Sequence, residues 1–380
     1  MHSLIYWSPF VGNVGTIKST INSAIAFKKF AKNTCNVKIV NVCGEWNNFK
    51  DIIEKNDIEL INLTFNYINY LPKNGFIKSR ISYLIIFLIS FFPLLRLLKK
   101  EQSTFFIAHL ITSLPLCLNF FFNLKSKMIL RISGYPKLHF LRKKFWKLTT
   151  KKIYMMTCPT IELKSKLIKS NIFNNSKIKF LPDAIIDMKD FLFKKNENIE
   201  LPTKKKFILS VGRLTKQKNY QYLLSEIYDF LKINSDYDLI LLGEGEERKI
   251  LSKIISDMNM LNRIFLLGHK KNPRDYYLES DLFINSSYFE GFPNAIVEAI
   301  NFNLPVICSD TTSGVREITL NGKGGDLFKV GDYKNLAKKI SLVYQSPKIL
   351  NKKLMIARKN IKNFSIKKNV HKYESIFRTI

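Results

Sequence analysis

The sequence predicts an α/β protein of two doubly wound parallel-sheet domains, and three observations carry that prediction. Short apolar runs alternate with helix-period segments from one end to the other, a rhythm that implies parallel strands with helices on both faces. Two such series follow one another, separated by a charged, Asn-rich stretch. At 380 residues the chain also lets each half bury its own core.

In the first series, strands are expected at residues 4–7, 37–43, 105–108, 128–132 and 153–157, with a helix at 18–30. Residues 1–10 read as a strand running into a turn, not as a signal peptide. The run 81–98, ISYLIIFLISFFPLLRLL, is about long enough to span a bilayer, but Pro93 and Arg96 lie inside it and basic residues flank it. A buried or membrane-grazing helix is expected there. The second series places strands at 207–211, 239–242, 264–266, 282–284 and 305–308, with helices at 220–231, 247–258 and 295–301. The expected domains are therefore 1–186 and 207–355, joined by a linker at 187–206. A basic helix at 356–380 is expected to pack back on the first domain. Ligands of such sheets sit beyond the carboxyl ends of the strands, here in a cleft between the domains.

Composition narrows the class. With 46% hydrophobic and 13% aromatic residues the chain is globular, not disordered. Its five cysteines, Cys35, Cys43, Cys117, Cys158 and Cys308, form no CxxC pair. That spacing argues for reduced thiols and against a zinc site or disulfide framework. A net charge of +31 implies affinity for polyanions. Residues 137–206 hold eighteen Lys or Arg against six Asp or Glu, including Arg142-Lys143-Lys144 and Lys204-Lys205-Lys206. An anionic membrane surface is the expected partner. A nucleic-acid binder is the weaker reading, because no zinc spacing, RNP-like strand or helix-turn-helix pattern accompanies the charge.

The segment DLFINSSYFEGFPNAIVEA, residues 281–299, carries the chemistry. An apolar strand gives way to a polar turn, then Glu290-Gly291-Phe292-Pro293, then a helix. Pro293 suits the first helical position, and Gly291 lets the backbone approach a ligand. The helix-start amides of Asn294 and Ala295, with the helix dipole behind them, suit a diphosphate. Glu290 precedes the helix and Glu298 lies about a turn and a half inside it, so the two carboxylates address different groups.

This stretch resembles the E-x7-E signature of glycosyltransferase family 4, the large class of retaining enzymes with the GT-B fold. The resemblance extends over nearly the whole chain, most closely over 207–327. Gly212-Arg213-Leu214-Thr215-Lys216-Gln217-Lys218 matches the family's G-R-x-x-x-x-K arrangement, which implies that Arg213 and Lys218 hold the donor diphosphate. The loop with Gly243 and Gly245 lies near the nucleotide in that family, and His269 and Lys270 match the segment that holds the base. Gly12 and Gly15 correspond to a glycine-rich loop bordering donor and acceptor, and His109 to a histidine near the transferred sugar. Arg131-Ile132-Ser133-Gly134-Tyr135-Pro136 is similar to a stretch of bacterial surface-polysaccharide transferases, which makes Ser133 and Gly134 acceptor-side candidates.

The resemblance implies retaining transfer of a hexose or N-acetylhexosamine from a nucleotide diphosphate, above all a UDP-sugar. The implied acceptor is a polyprenyl-diphosphate-linked saccharide or other glycan of O-antigen or capsule synthesis, on the cytoplasmic face of the membrane. Glu290, His109, Arg213 and Lys218 are the catalytic candidates. Glu298, Arg213, Lys218, Gly291, Phe292, Asn294, Ala295, Gly243, Gly245, His269 and Lys270 are the donor contacts. No cofactor or metal is expected. Asp236-Tyr237-Asp238 has the form of a metal-binding Asp-x-Asp, but it reads as a turn and strand start. A catalytically inactive scaffold of the same fold is the alternative within the class.

Overall fold

In the computed structural model the described residues are 2–12, 15–31, 35–72, 76–101, 104–136, 139–185, 200–270, 272–332, 336–341 and 347–378. The chain divides into two units, Met1–Ile185 with Ile366–Ile380, and Ile186–Ser365.

The first unit is built on seven strands: β1 (His2–Trp7), β2 (Cys35–Asn41), β3 (Glu59–Asn62), β4 (Phe105–Ala108), β5 (Lys127–Arg131), β6 (Met155–Cys158) and β7 (Ile178–Phe180). They lie in the order β3-β2-β1-β4-β5-β6-β7, and every pairing is parallel. The central strands are largely apolar because both faces are covered, and the edge strands β3 and β7 are less so. Successive side chains alternate between two cores. Leu4, Tyr6, Phe105 and Ile107 join the core that takes Phe27, Tyr373 and Phe377, while Ile5, Trp7, Phe106 and Ala108 face Ile86, Leu94 and Leu98. The second unit has β8 (Lys206–Val211), β9 (Tyr237–Leu242), β10 (Ile264–Leu266), β11 (Leu282–Asn285), β12 (Val306–Ser309) and β13 (Asp326–Phe328), all parallel, in the order β10-β9-β8-β11-β12-β13.

In each sheet the order reverses beside the first strand, between β1 and β4 and between β8 and β11. Loops leaving neighbouring strands in opposite directions open a crevice at such a point, where ligands of doubly wound sheets collect. The fold therefore nominates the loops after β1 and β4 in one unit and after β8 and β11 in the other.

Three strands lie outside the expected set: β3, β7 and β13. All are edge strands of three or four residues. The C-terminal division falls at Ile366, not at 356. The Pro347–Ile361 helix stays with the second unit: Asn360 Nδ2 donates to the Glu317 and Ile318 carbonyls, and Ala357 lies against Gly324. The Ile366–Arg378 helix instead packs in the first unit, where Phe377 stacks on Phe105 with ring centroids 4.0 Å apart. Of the expected linker, residues 187–199 lie outside the described residues, and Thr203 bonds Asp238.

Candidate active site

At the β8–β11 crevice, the site begins with glycines that let three strand-end loops pack on one another. The Gly212 amide donates to the Leu242 carbonyl, and the Gly243 amide to the Gly268 carbonyl, both at 2.9 Å. A Cβ on Gly243 would fall 1.8 Å from the Gly212 oxygen, and one on Gly245 would fall 2.2 Å from the Leu214 oxygen. Gly243 and Gly245 thus seat the β9 loop against the loop carrying Arg213.

That loop closes with a 3-10 turn at Lys216–Lys218 and Asn219 in a left-handed conformation, and the Tyr220–Ile233 helix follows. Lys218 Nζ reaches Glu290 Oε1 at 2.5 Å, with the two side chains 15% and 7% exposed. The same oxygen accepts from Ser287 Oγ at 2.6 Å and Asn285 Nδ2 at 3.3 Å. The two loops are stitched together: Ser286 Oγ donates to the Lys218 carbonyl, the Tyr288 amide to the Gln217 carbonyl, and Gln217 Nε2 to the Phe289 carbonyl. Arg213, on the same loop as Lys218, is exposed and has no partner among the described residues.

Beyond Glu290, Pro293 occupies the cap position of the Asn294–Asn301 helix, not its first helical position, because its ψ of 90° is still extended. Its carbonyl accepts from the Ile296 amide, so the amides of Asn294 and Ala295 open the helix without an intrahelical acceptor. Asn294 Oδ1 is buried and without a partner among the described residues. Two neighbours fix this turn. Gly314 sits so close that a Cβ there would come within 2.4 Å of the Gly291 oxygen. The Phe292 ring packs on Phe364 at 4.9 Å, so this donor candidate works as an apolar anchor.

Glu298 is buried and accepts a hydrogen bond from the Tyr277 hydroxyl at 3.2 Å. Burial, together with this carboxylate, holds the Tyr277 phenol well above its ordinary pKa, so it stays a donor. His269 is exposed after the edge strand β10, and Lys270 lies over the Tyr276 ring. Asp238 of the Asp-Tyr-Asp sequence is buried and engaged by Arg263 Nε and Thr203 Oγ1, each at 2.6 Å. It ties the start of β9 to the segments that lead into β10 and β8.

The first unit assembles a polar group at its own switch point. Gly12 follows β1 with open space where a Cβ would stand, and Gly15 starts the Gly15–Phe30 helix; residues 13 and 14 between them lie outside the described residues. His109 follows β4 and is buried, with Nε2 2.6 Å from Ser133 Oγ and Nδ1 3.4 Å from Thr20 Oγ1. Behind it, the buried Arg131–Asp183 ion pair borders a polar cavity shared with Tyr6, Ser23 and Tyr373. Ser133 thus touches His109, while Gly134 is exposed.

Burial, and then the charge of Arg131, hold the His109 pKa down to about 3, with Asp183 opposing. The imidazole is neutral at every working pH, suited to exchanging hydrogen bonds with hydroxyls. Between the unfolded value of 6.5 and about 3, the unfolded chain binds the proton and the folded chain does not, so stability falls with pH through that window. All three tryptophans, Trp7, Trp46 and Trp146, lie in the first unit, so their fluorescence reports its unfolding. From neutrality to about pH 5, the wild type should lose about 2 kcal/mol more than His109→Gln. Parallel urea curves would exclude the buried neutral histidine.

Asn285, Ser287, Tyr277 and Gly314 escaped the sequence reading. The Asn-Ser-Ser turn was visible as polar, but nothing local said that it faces Glu290. Gly314 and Tyr277 act across sequence separations that only the fold closes.

Residues 193–364 match the family model "Glycosyl transferases group 1". Among curated proteins the chain is similar to the Campylobacter jejuni N-acetylgalactosamine-N,N'-diacetylbacillosaminyl-diphospho-undecaprenol 4-alpha-N-acetylgalactosaminyltransferase, 28% identical over 236 residues. That match covers 60% of this chain and 63% of the relative, so it spans less than two thirds of the relative's length. Among solved structures, a glycosyltransferase from Rickettsia africae superposes with a TM-score of 0.77 at 19% identity, covering 100% of this chain and 98% of that one. Anabaena Alr3699/HepE in complex with UDP-glucose superposes equally, at 0.77 and 14% identity with full coverage of both chains.

Proposed function

We propose that this chain, which matches the group 1 glycosyl transferase model over residues 193–364 and has the fold of the solved glycosyltransferases above, is itself a GT-B glycosyltransferase that moves a hexose or N-acetylhexosamine from a UDP-sugar to a lipid-linked saccharide, with retention and without a metal. The observation that carries this reading is the Lys218–Glu290 ion pair, set beside Arg213 and the Asn294 helix start at the switch point of the second sheet. A cation parked on a carboxylate makes an exchangeable pair. When a diphosphate arrives, Lys218 turns to it, and Glu290 is released to accept from a sugar hydroxyl.

In this scheme the bond from the anomeric carbon to the diphosphate oxygen breaks, and its electron pair leaves on the diphosphate. Lys218, Arg213 and the helix-start amides stabilise the charge that builds there. The acceptor oxygen bonds the anomeric carbon on the face just vacated, and its proton passes to the departing phosphate oxygen. Fixed cations supply the charge that a metal supplies elsewhere, so none is required. Glu298 takes the ribose hydroxyls. The relatives support the substrate classes: the Campylobacter protein is named for transfer onto a diphospho-undecaprenol-linked sugar, and the Anabaena structure holds UDP-glucose. An acceptor of that kind, used together with a nucleotide-sugar donor, supports a reading in which the enzyme works at the cytoplasmic face of the membrane.

The test is nucleotide release. Incubated with a panel of nucleotide sugars, the protein should liberate UDP slowly from a subset of the UDP-sugars, at the same rate in excess EDTA. Silence across the panel would favour an inactive scaffold, and abolition by EDTA a metal-dependent enzyme.

A further inference from the structure

The Phe76–Lys100 helix presents a surface that the transfer chemistry does not use. Residues Lys78–Lys100 are long and apolar enough to cross a bilayer, yet they do not stand free. Ser82, Ile86, Ser90, Leu94 and Leu98, four residues apart, are buried, and the three apolar ones join the sheet core with Trp7 and Phe106. Withdrawing the helix to span a membrane would strip that core. The other side is open: Leu84, Leu88 and Phe92 are 59, 64 and 66% exposed, a stripe at helical spacing. The Phe140–Thr149 helix adds Phe140 and Leu141, 78 and 74% exposed, beside Arg142, Lys143 and Lys144. Both helices pack against the Ser113–Phe121 helix, and Trp146 joins the same core cluster as Ile86, Leu94 and Leu98, so one face of the sheet carries both. Neither helix carries an acidic residue.

We infer that these two helices form a docking face for an anionic lipid bilayer, with Leu84, Leu88, Phe92, Phe140 and Leu141 entering the acyl boundary and Arg80, Arg142, Lys143 and Lys144 meeting lipid phosphates. Contiguous exposed apolar residues rimmed by cations are the pattern of a helix lying in the interface plane. A protein partner would need acidic groups around an apolar centre, whereas an anionic bilayer offers both layers at the required depths. The face deepens the proposed lipid-linked acceptor and rests on it for its purpose, but not for its chemistry.

The test is flotation of the full chain, without substrate, on phosphatidylcholine vesicles with and without about one third phosphatidylglycerol. The protein should float with the anionic vesicles only, and alkaline carbonate should release it. Lys143→Gln with Lys144→Gln should lower the partition coefficient about 30-fold. Leu88→Glu with Phe92→Glu should abolish binding. Both variants should keep the wild-type circular dichroism and UDP release, since neither pair touches the donor loops. No flotation, equal flotation on neutral vesicles, wild-type partition of the variants or retention in carbonate would each overturn the face. So would a lipid-independent dimer that the Leu88→Glu, Phe92→Glu variant dissolves. Flotation and UDP release are independent readouts, so failure of the docking face and failure of the proposed reaction are told apart.

Discussion

Lys218→Ala should lower kcat for sugar transfer by about 10²- to 10³-fold, the scale set by removing one fixed donor to a developing negative charge. The effect belongs in kcat more than in KM, because the charge that Lys218 meets grows as the diphosphate departs. The variant has a second consequence that must be separated from the first. Glu290 is 7% exposed and, among the described residues, takes its one cationic contact from Lys218. Removing that cation leaves a buried carboxylate with only Ser287 and Asn285 to donate to it. Breaking such a pair costs about 3 kcal/mol of stability. Lys218→Met combined with Glu290→Gln removes both charges, so it should recover most of the thermal stability while turnover stays lost. Stability and catalysis then move independently, which a purely structural salt bridge does not allow. Turnover within about threefold of wild type in Lys218→Ala would remove the residue from the mechanism.

That the Gly212–Lys218 and Glu290–Glu298 segments are strand-end loops was legible in the sequence for a local reason. The Gly212–Lys218 segment follows a mostly apolar strand and leads into a helix, and the Glu290–Glu298 segment follows another and runs into its own helix, so spacing alone fixes their order along strand, turn and helix. The pairing of Lys218 with Glu290, 72 residues apart, was not legible. Spacing along each segment carries no sign that a basic residue of one loop meets a carboxylate of the other. The contact of Phe292 with Phe364 was hidden for a related reason, since nothing in the Glu290–Glu298 segment points to a ring 72 residues further on. The missed strands β3, β7 and β13 share a physical cause. Edge strands pair on one side only, so they need no continuous apolar run, and Glu59–Asn62 has no buried residue. The buried Arg131–Asp183 pair behind His109 was equally hidden, because Arg131 ends an apolar strand whose pattern gives no sign of a charge kept inside.

Glu298→Ala should weaken UDP binding about 100-fold with little change in kcat at saturation, the converse of Lys218→Ala. Hydrogen bonds from hydroxyls to a carboxylate contribute about 1.5–3 kcal/mol each, and two ribose hydroxyls are within the capacity of one carboxylate. The ribose does not change during transfer, so these contacts serve ground and transition states alike. A fall in affinity alone would not prove contact, because Glu298 also holds the Tyr277 hydroxyl inside the unit. Tyr277→Phe measures that structural share: it removes the hydroxyl and keeps the ring, which stacks on Phe302 at 5.4 Å, so UDP affinity should stay within about threefold of wild type. The decisive comparison is a cycle with 2′-deoxy-UDP, read by calorimetry. Wild type should bind the deoxynucleotide about tenfold more weakly than UDP, whereas Glu298→Ala should bind the two alike. An undiminished deoxy penalty in Glu298→Ala would mean that the ribose is held elsewhere. Glu298 would then be the acceptor that satisfies a buried tyrosine, and the E-x7-E pair would retain one functional carboxylate, Glu290.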